Sequence, residues 1–290
     1  MPIFGRVLTA MITPFREDGQ VDHEQAWKLA RHLSSHGSDG LVVTGTTGES
    51  PTLTEDEKVA LYRTVVESVA NKETRVIAGT STYNTEESAH LSRRAAEAGC
   101  NGILAVTPYY NRPNQEGLIA HFRAIADATD LPVALYNIPG RTARLIEIET
   151  LKVLSGHPRI RAVKDAVMDI DFTSRTCAEV PDLEVYSGQD TYTWPMMAVG
   201  AVGVVSVISH LAGDQVKEMV EAAAAGDSDR ARDLHMRLLP LGLACFLDPN
   251  PSPVKAALNA LWEPVGIPRL PLVPSSEATV AAIKDALTHL

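Results

Sequence analysis

The sequence predicts an α/β fold, a (β/α)8 TIM barrel with a C-terminal helical extension. Short runs rich in Val, Ile and Leu recur along the chain without the polar alternation of a half-solvated sheet, as the strands of a parallel sheet covered on both faces do. Longer segments of helical period separate these runs. About eight such strand and helix units fit in the 290 residues, and right-handed crossovers with short loops keep adding neighbours until the sheet meets itself. A doubly wound open sheet is the alternative.

In order, the predicted strands lie at 7–13, 40–43, 75–80, 102–108, 132–139, 160–166, 183–188 and 203–207. Helices are predicted at 22–36 and 54–71, where Asp22 with Gln25 and Thr54 with Glu57 have capping-box spacing. Leu61, Val65, Val66 and Val69 form an apolar stripe on the second of these helices. Gly37, Gly99 and Gly226 stand where helices should stop. After about residue 225 the strand signal ends, and helical segments follow at 227–246, 253–262 and 275–289. Residues 1–225 are therefore predicted as the barrel and 226–290 as a helical region. The run Asp248-Pro-Asn-Pro-Ser-Pro253 predicts a rigid turn, since each proline fixes φ and disfavours helix in the residue before it.

The formal net charge of −10 repels phosphate backbones and anionic lipid, which argues against nucleic acid as a partner. It leaves room for a small anionic substrate, because one or two local cations dominate a cleft. Cys100, Cys177 and Cys245 are far apart, with no zinc or C-x-x-C spacing, as suits a reducing cytoplasm. No signal peptide is read at the N-terminus. The longest uncharged stretch, 191–209, is broken by Pro195 and several glycines and reads poorly as a membrane span.

Four stretches could carry chemistry. Gly45-Thr46-Thr47-Gly48-Glu49-Ser50 follows the second strand, where backbone N–H groups and threonine hydroxyls can hold a carboxylate or phosphate; an ordinary Gly-rich turn is the alternative. Lys164, at the end of an apolar strand, is either a strand-end cation paired with an acid such as Asp165 or a desolvated amine suited to imine chemistry. Tyr136 and Arg141, flanking a Pro-Gly turn after the fifth strand, can project into the same mouth as a proton carrier and a carboxylate clamp; a core tyrosine and a solvated arginine are the alternative. Tyr109 and Tyr110 are adjacent aromatics in the loop after the fourth strand, placed to pack it or to meet a neighbour. His32 and His36 share a helix face without accompanying acids, so no metal site is predicted. Neither a P-loop nor a G-x-S-x-G nucleophile elbow is present.

Taken in order, GTTGES, TPYYNRP, YNIPGRT, AVKDA and DPNPSPVKAAL resemble the pyruvate-dependent class I aldolase superfamily that includes the N-acetylneuraminate lyases, and within it the dihydrodipicolinate synthase family. The resemblance runs from Gly5 to the C-terminal helices. It implies a lyase of lysine and diaminopimelate biosynthesis that needs no cofactor, condenses pyruvate with aspartate semialdehyde, and assembles as a homotetramer, a dimer of dimers. By position, Lys164 matches the imine-forming lysine, and Thr46 and Thr47 match the residues that hold the pyruvate carboxylate, Thr47 also in a proton relay. Tyr136 matches the central proton-transfer phenol, and Tyr110 a relay tyrosine donated across a dimer interface. Arg141 matches the clamp for the semialdehyde carboxylate, while Gly188 and Val205 match pocket positions that act through their backbones.

Thr46 and Arg141 favour the synthase over the lyases, which resemble this chain at the lysine and tyrosine but commonly have serine at the first position and lack the arginine. Val167, Met168 and Gln189 depart from the synthase pattern, which keeps open a related aldolase acting on another aldehyde. A non-catalytic barrel that senses a keto acid is the third reading, since a fold does not dictate chemistry. Ser50, Glu87 and Tyr109 match part of the lysine-binding site of inhibited members, whereas Glu55, Lys58 and Tyr83 replace histidines and an asparagine. Those replacements predict weak or altered lysine inhibition.

Overall fold

The computed structural model describes residues 1–70 and 73–290. Eight strands, β1 (Val7–Ala10), β2 (Gly40–Val43), β3 (Arg75–Gly79), β4 (Gly102–Val106), β5 (Val133–Asn137), β6 (Ile160–Asp165), β7 (Glu184–Ser187) and β8 (Gly203–Ser206), pair in chain order and close on themselves. Every pairing is parallel, including that of β8 with β1. The closed (β/α)8 barrel is thus the observed architecture, and the open sheet is excluded.

The helices are α1 (His23–Ser35), α2 (Glu55–Val69), α3 (Thr85–Glu97), α4 (Gln115–Asp127), the single turn α5 (Pro139–Thr142), α6 (Ile148–Ser155), α7 (Ile170–Glu179), α8 (Thr193–Ala198) and α9 (Ser209–Ala224). Beyond them lie α10 (Ser228–Ala244), α11 (Ser252–Leu261) and α12 (Glu277–Leu287). At α2 the expected capping box forms, Thr54 Oγ1 accepting from Glu57 N and Glu57 Oε2 from Thr54 N. At α1 only half of it does. Asp22 accepts from Gln25 N at 3.0 Å, but the Gln25 amide donates instead to Glu263 Oε2 at 3.1 Å, a tertiary partner displacing a local one. Gly37, Gly99 and Gly226 have φ of +82°, +87° and +81° and end their helices as expected. The predicted end of the second helical segment, at 71, lies outside the described residues.

The first strand is shorter than predicted because the chain leaves the ladder after Ala10 to serve the barrel mouth. Ile12 N–H donates to His210 Nε2 at 3.2 Å, and Thr13 Oγ1 donates to the Gly48 carbonyl at 2.7 Å.

Period-two alternation sorts the strand side chains into two cores. Leu8, Ala10, Val42, Ile77, Leu104, Ala134, Ala162 and Tyr186 fill the barrel interior, above a plug made by Phe4. Leu41, Val43, Val76, Ala78, Ile103, Leu135 and Val163 face outward against the helices. The C-terminal helices are continuous with this packing: Val7 and Val204 join Val216, Leu234, Leu241 and Ile283, and Val254 and Leu258 of α11 belong to the main outer core. Among the described residues no helix is long and apolar enough to cross a membrane.

Candidate active site

The site is built at the C-terminal ends of the strands, where barrel loops converge. Tyr136 of β5 and Lys164 of β6 are register partners pointing into the barrel, and the Lys164 Nζ stands 4.1 Å from the centroid of the Tyr136 ring. Both are buried, Lys164 being 7% and Tyr136 5% exposed. Asp165, the acid that a simple strand-end pair would use, points the other way. Its carboxylate accepts from Val167 N at 2.9 Å and Thr173 Oγ1 at 2.7 Å. Burial pushes its pKa up, against those two hydrogen bonds.

Val205 lies on the inner face of β8 in the same apolar cluster as Tyr136. Gly188 follows β7, its N–H donating to the Asp165 carbonyl at 2.7 Å. A Cβ there would sit 2.8 Å from Ala166 Cβ and 3.0 Å from that carbonyl oxygen, so the close approach of the two loops requires glycine.

The Gly-rich turn closes one side of the mouth. Thr44 and Glu49 adopt left-handed φ of 56° and 57°, and Thr44 Oγ1 and Tyr62 Oη both donate to the Gly79 carbonyl at 2.9 Å. Thr46 lines a cavity of ≈220 Å³ together with Ser50, Ser81, Tyr109, Tyr136 and Arg141. Thr47 is buried behind it, its hydroxyl accepting from Asn250 Nδ2 at 2.9 Å. Arg141 reaches the cavity from α5, whose first turn is set by Pro139. The short apolar strand ends thus carry a buried amine beside a phenol, two hydroxyls and one guanidinium, the set that imine chemistry on a small keto acid needs.

Tyr110, by contrast, is 93% exposed and turned away with φ of 69°. Arg112, Ala143 and Met168 share its left-handed conformation, so strain gathers in the loops around the mouth. Met168, 54% exposed, occupies with φ of 63° a position where the resemblance leads one to expect glycine.

Among the residues matching an effector site, Ser50 and Tyr109 line the cavity and Tyr83 packs edge-on to Tyr109 at 5.3 Å. Glu87 accepts weakly from Thr82 Oγ1 at 3.4 Å. Glu55 is taken by Arg94 at 2.5 Å and His90 at 3.0 Å. Lys58 is buried, and burial lowers its pKa against the pull of Glu87 and Glu55.

Three groups that sequence reasoning did not single out belong to the surroundings of the site. Asp190 is buried and accepts from Ser206 Oγ at 2.5 Å and from Val207 N and Ile208 N, at 2.9 and 3.3 Å. Burial raises its pKa; those bonds and the Lys164 charge act the other way. Asn250 and Lys255 come from the C-terminal region, the latter pairing with Glu49 at 2.6 Å. Of the Gln189-Asp190 dipeptide the sequence marks only Gln189, as a departure from the synthase pattern, and the run from 248 to 258 marks a turn and a stretch of the resemblance without giving Asn250 or Lys255 a role. Among the described residues no group of three or more His, Cys, Asp or Glu is placed to hold a metal ion.

A family model described as the dihydrodipicolinate synthetase family matches residues 3–290. A 4-hydroxy-tetrahydrodipicolinate synthase of Synechococcus elongatus is 51% identical over 289 residues, 99% of this chain and 96% of its own. Another, from Moorella thermoacetica, is 50% identical over 287 residues, 97% of this chain and 98% of its own. The crystal structure of the Cyanidioschyzon merolae enzyme with lysine bound superposes with a TM-score of 0.97 at 43% identity, covering 100% of this chain and 99% of that one.

Proposed function

The chain belongs to the dihydrodipicolinate synthetase family and is a lyase of the 4-hydroxy-tetrahydrodipicolinate synthase type, and we propose that it condenses pyruvate with aspartate 4-semialdehyde through an imine on Lys164. The observation that carries this reading is the pairing of Lys164 with Tyr136 on the inner face of the barrel, buried and next to the cavity.

The Lys164 amine adds to C2 of pyruvate, and the carbinolamine oxygen leaves as water, giving a protonated imine. That cation is an electron sink: a C3 proton departs and the pair left behind becomes an enamine. C3 of the enamine then attacks the aldehyde carbon, whose oxygen takes up a proton. The semialdehyde amine closes on C2, and the C2–N bond to Lys164 breaks, returning the free lysine. Tyr136, whose ring lies 4.1 Å from Nζ, is the group placed to carry protons to and from these oxygens.

Thr46 and Thr47 hold the pyruvate carboxylate with the backbone N–H groups of their turn. Thr46 faces the cavity, and Thr47, whose hydroxyl accepts from Asn250 and keeps its own proton to donate, joins the relay. Arg141 at the rim clamps the semialdehyde carboxylate, and Gly188 and Val205 shape the wall behind C2. Tyr110, exposed in the single chain, completes the relay from a neighbouring subunit in a homotetramer built as a dimer of dimers.

Borohydride reduction in the presence of pyruvate, followed by peptide mass spectrometry, tests the reading. The expected result is a covalent adduct on Lys164 and a pyruvate-consuming rate with aspartate semialdehyde that Lys164→Ala abolishes. Trapping at another lysine, or none, removes the imine mechanism. Trapping without turnover points to a different aldehyde, in keeping with Val167, Met168 and Gln189.

A further inference from the structure

The segment that begins at Asp248 does more than turn the chain. It passes beneath the Gly-rich turn and holds it at two points. Asn250 Nδ2 donates to Thr47 Oγ1 at 2.9 Å, with both residues buried. One turn into α11, Lys255 Nζ stands 2.6 Å from Glu49 Oε1, the two side chains being 1% and 0% exposed. The other Glu49 oxygen accepts from Arg269 N at 2.8 Å. Lys255 is completed by the Ile267 carbonyl at 3.3 Å and the face of Phe15 at 4.1 Å.

Two features make this a poor device for stability alone. A buried ion pair returns little net free energy, because desolvation of both charges offsets their attraction. The Asn250 Oδ1 has no hydrogen-bond partner among the described residues, and a half-satisfied buried amide costs stability that a hydrocarbon would not. What both contacts do fix is geometry. Glu49 sits in a left-handed conformation that non-glycine residues adopt only when held, and Lys255 and Arg269 hold it. The Asn250 N–H occupies a lone pair of the Thr47 hydroxyl, which leaves that hydroxyl's own proton free to donate.

We infer that Asn250 and Lys255 are positioning residues for the keto-acid substrate, setting Thr47 and the backbone of its turn to receive the pyruvate carboxylate. The inference rests on the assignment of that carboxylate to Thr46 and Thr47. It gives the C-terminal helical region a part in substrate binding, although none of its residues lines the cavity.

The test compares the wild-type enzyme with Asn250→Ala and Lys255→Met, reading pyruvate affinity by calorimetry and both KM values and kcat by turnover. Asn250→Ala is expected to weaken pyruvate about tenfold, in affinity and KM alike, the scale of one lost hydrogen bond to a charged ligand. The semialdehyde KM, and kcat at saturating pyruvate, stay within about twofold. Lys255→Met produces a larger loss of the same kind; if it fails to fold, Asn250→Ala decides alone. An unchanged pyruvate affinity in Asn250→Ala overturns the inference, as does a fall in kcat and a rise in both KM values that merely follow a lowered Tm. A wild-type protein that binds pyruvate but is not trapped by borohydride loses the imine reading and keeps this one, provided Asn250→Ala still weakens binding. A wild-type protein that binds no pyruvate overturns both.

Discussion

Acidification from neutral pH should loosen this enzyme, because two histidines are buried in a neutral form. His210 donates from Nδ1 to the Val207 carbonyl at 2.8 Å and accepts at Nε2 from Ile12 N at 3.2 Å. A proton at Nε2 would face that N–H directly. His121 lies between Ser81 Oγ at 3.2 Å and Thr85 Oγ1 at 2.9 Å. Burial pulls both from their ordinary 6.5 down to about 4. Below pH 6.5 the unfolded chain therefore binds protons that the folded chain refuses. Stability is full above that pH and drains as the pH falls towards 4. Between pH 7 and 5 the loss comes to about 2 kcal/mol for each histidine and about 4 kcal/mol for the pair, or roughly 6 °C in Tm. His32 and His235, whose pKa values burial also lowers, add in the same direction. Glu57, held below the usual carboxylate range by Arg269, loses its contribution only at lower pH, so the two windows separate. Scanning calorimetry at pH 7, 6 and 5 and constant ionic strength measures the slope, and His210→Asn should remove a large share of it. A Tm that does not move over this range, or a His210→Asn slope equal to the wild type, refutes the argument.

Arg141→Ala should raise the semialdehyde KM by about 10- to 100-fold while leaving pyruvate trapping intact, the scale of a charge-assisted clamp at a solvated rim; steady-state kinetics with each substrate varied in turn would show it. Lysine should inhibit weakly, because the Lys58 ammonium already lies in the field of Glu87 and would repel an effector ammonium there; complete inhibition at submillimolar lysine contradicts this. Sedimentation should find a tetramer, and Tyr110→Phe should lower kcat by about 10- to 100-fold with little change in pyruvate affinity. A fully active monomer would remove Tyr110 from the relay.

The strands and most helices were legible because their signals are local. A parallel strand buried on both faces reads as an apolar run, and Thr54 with Glu57 writes its own cap. Lys164 and Tyr136 were legible as strand-end residues and Arg141 as a residue of the turn that follows, and the structure brings Tyr136 and Arg141 onto one cavity with Lys164 against the Tyr136 ring. What stayed hidden depends on contacts between distant segments. Gln25 deserts its local cap for Glu263, a partner 238 residues away, and Asn250 meets Thr47 across 203 residues. No spacing rule reaches that far. Asp190 likewise looks like any acid in a loop until the turn after β8 folds three donors onto it.

The inward aim of Lys164 is itself a nonlocal result. Strict alternation along β6 would put Ile160, Ala162 and Lys164 on one face. Yet Ile160 packs in the outer core, whereas Ala162 lies inside the barrel. The pairing with β5 shows why: Val133 is opposite Ile160, but the next residue, Ala134, is opposite Ala162, so Arg161 is an extra residue in the ladder. One extra residue reverses the phase of everything after it. Had the ladder run without the irregularity from Ile160, Tyr136 would lie opposite Val163, and Lys164 would fall in phase with Asn137, whose side chain turns out of the barrel to bond the Ile146 backbone. The apolar run around Lys164 marks a strand ending in a lysine, but it carries no sign of this shift. The bulge at Arg161 lets an outward anchor at Ile160 and an inward amine at Lys164 coexist on one six-residue strand. The proposed imine chemistry on Lys164 therefore depends on this irregularity of the sheet as much as on the lysine.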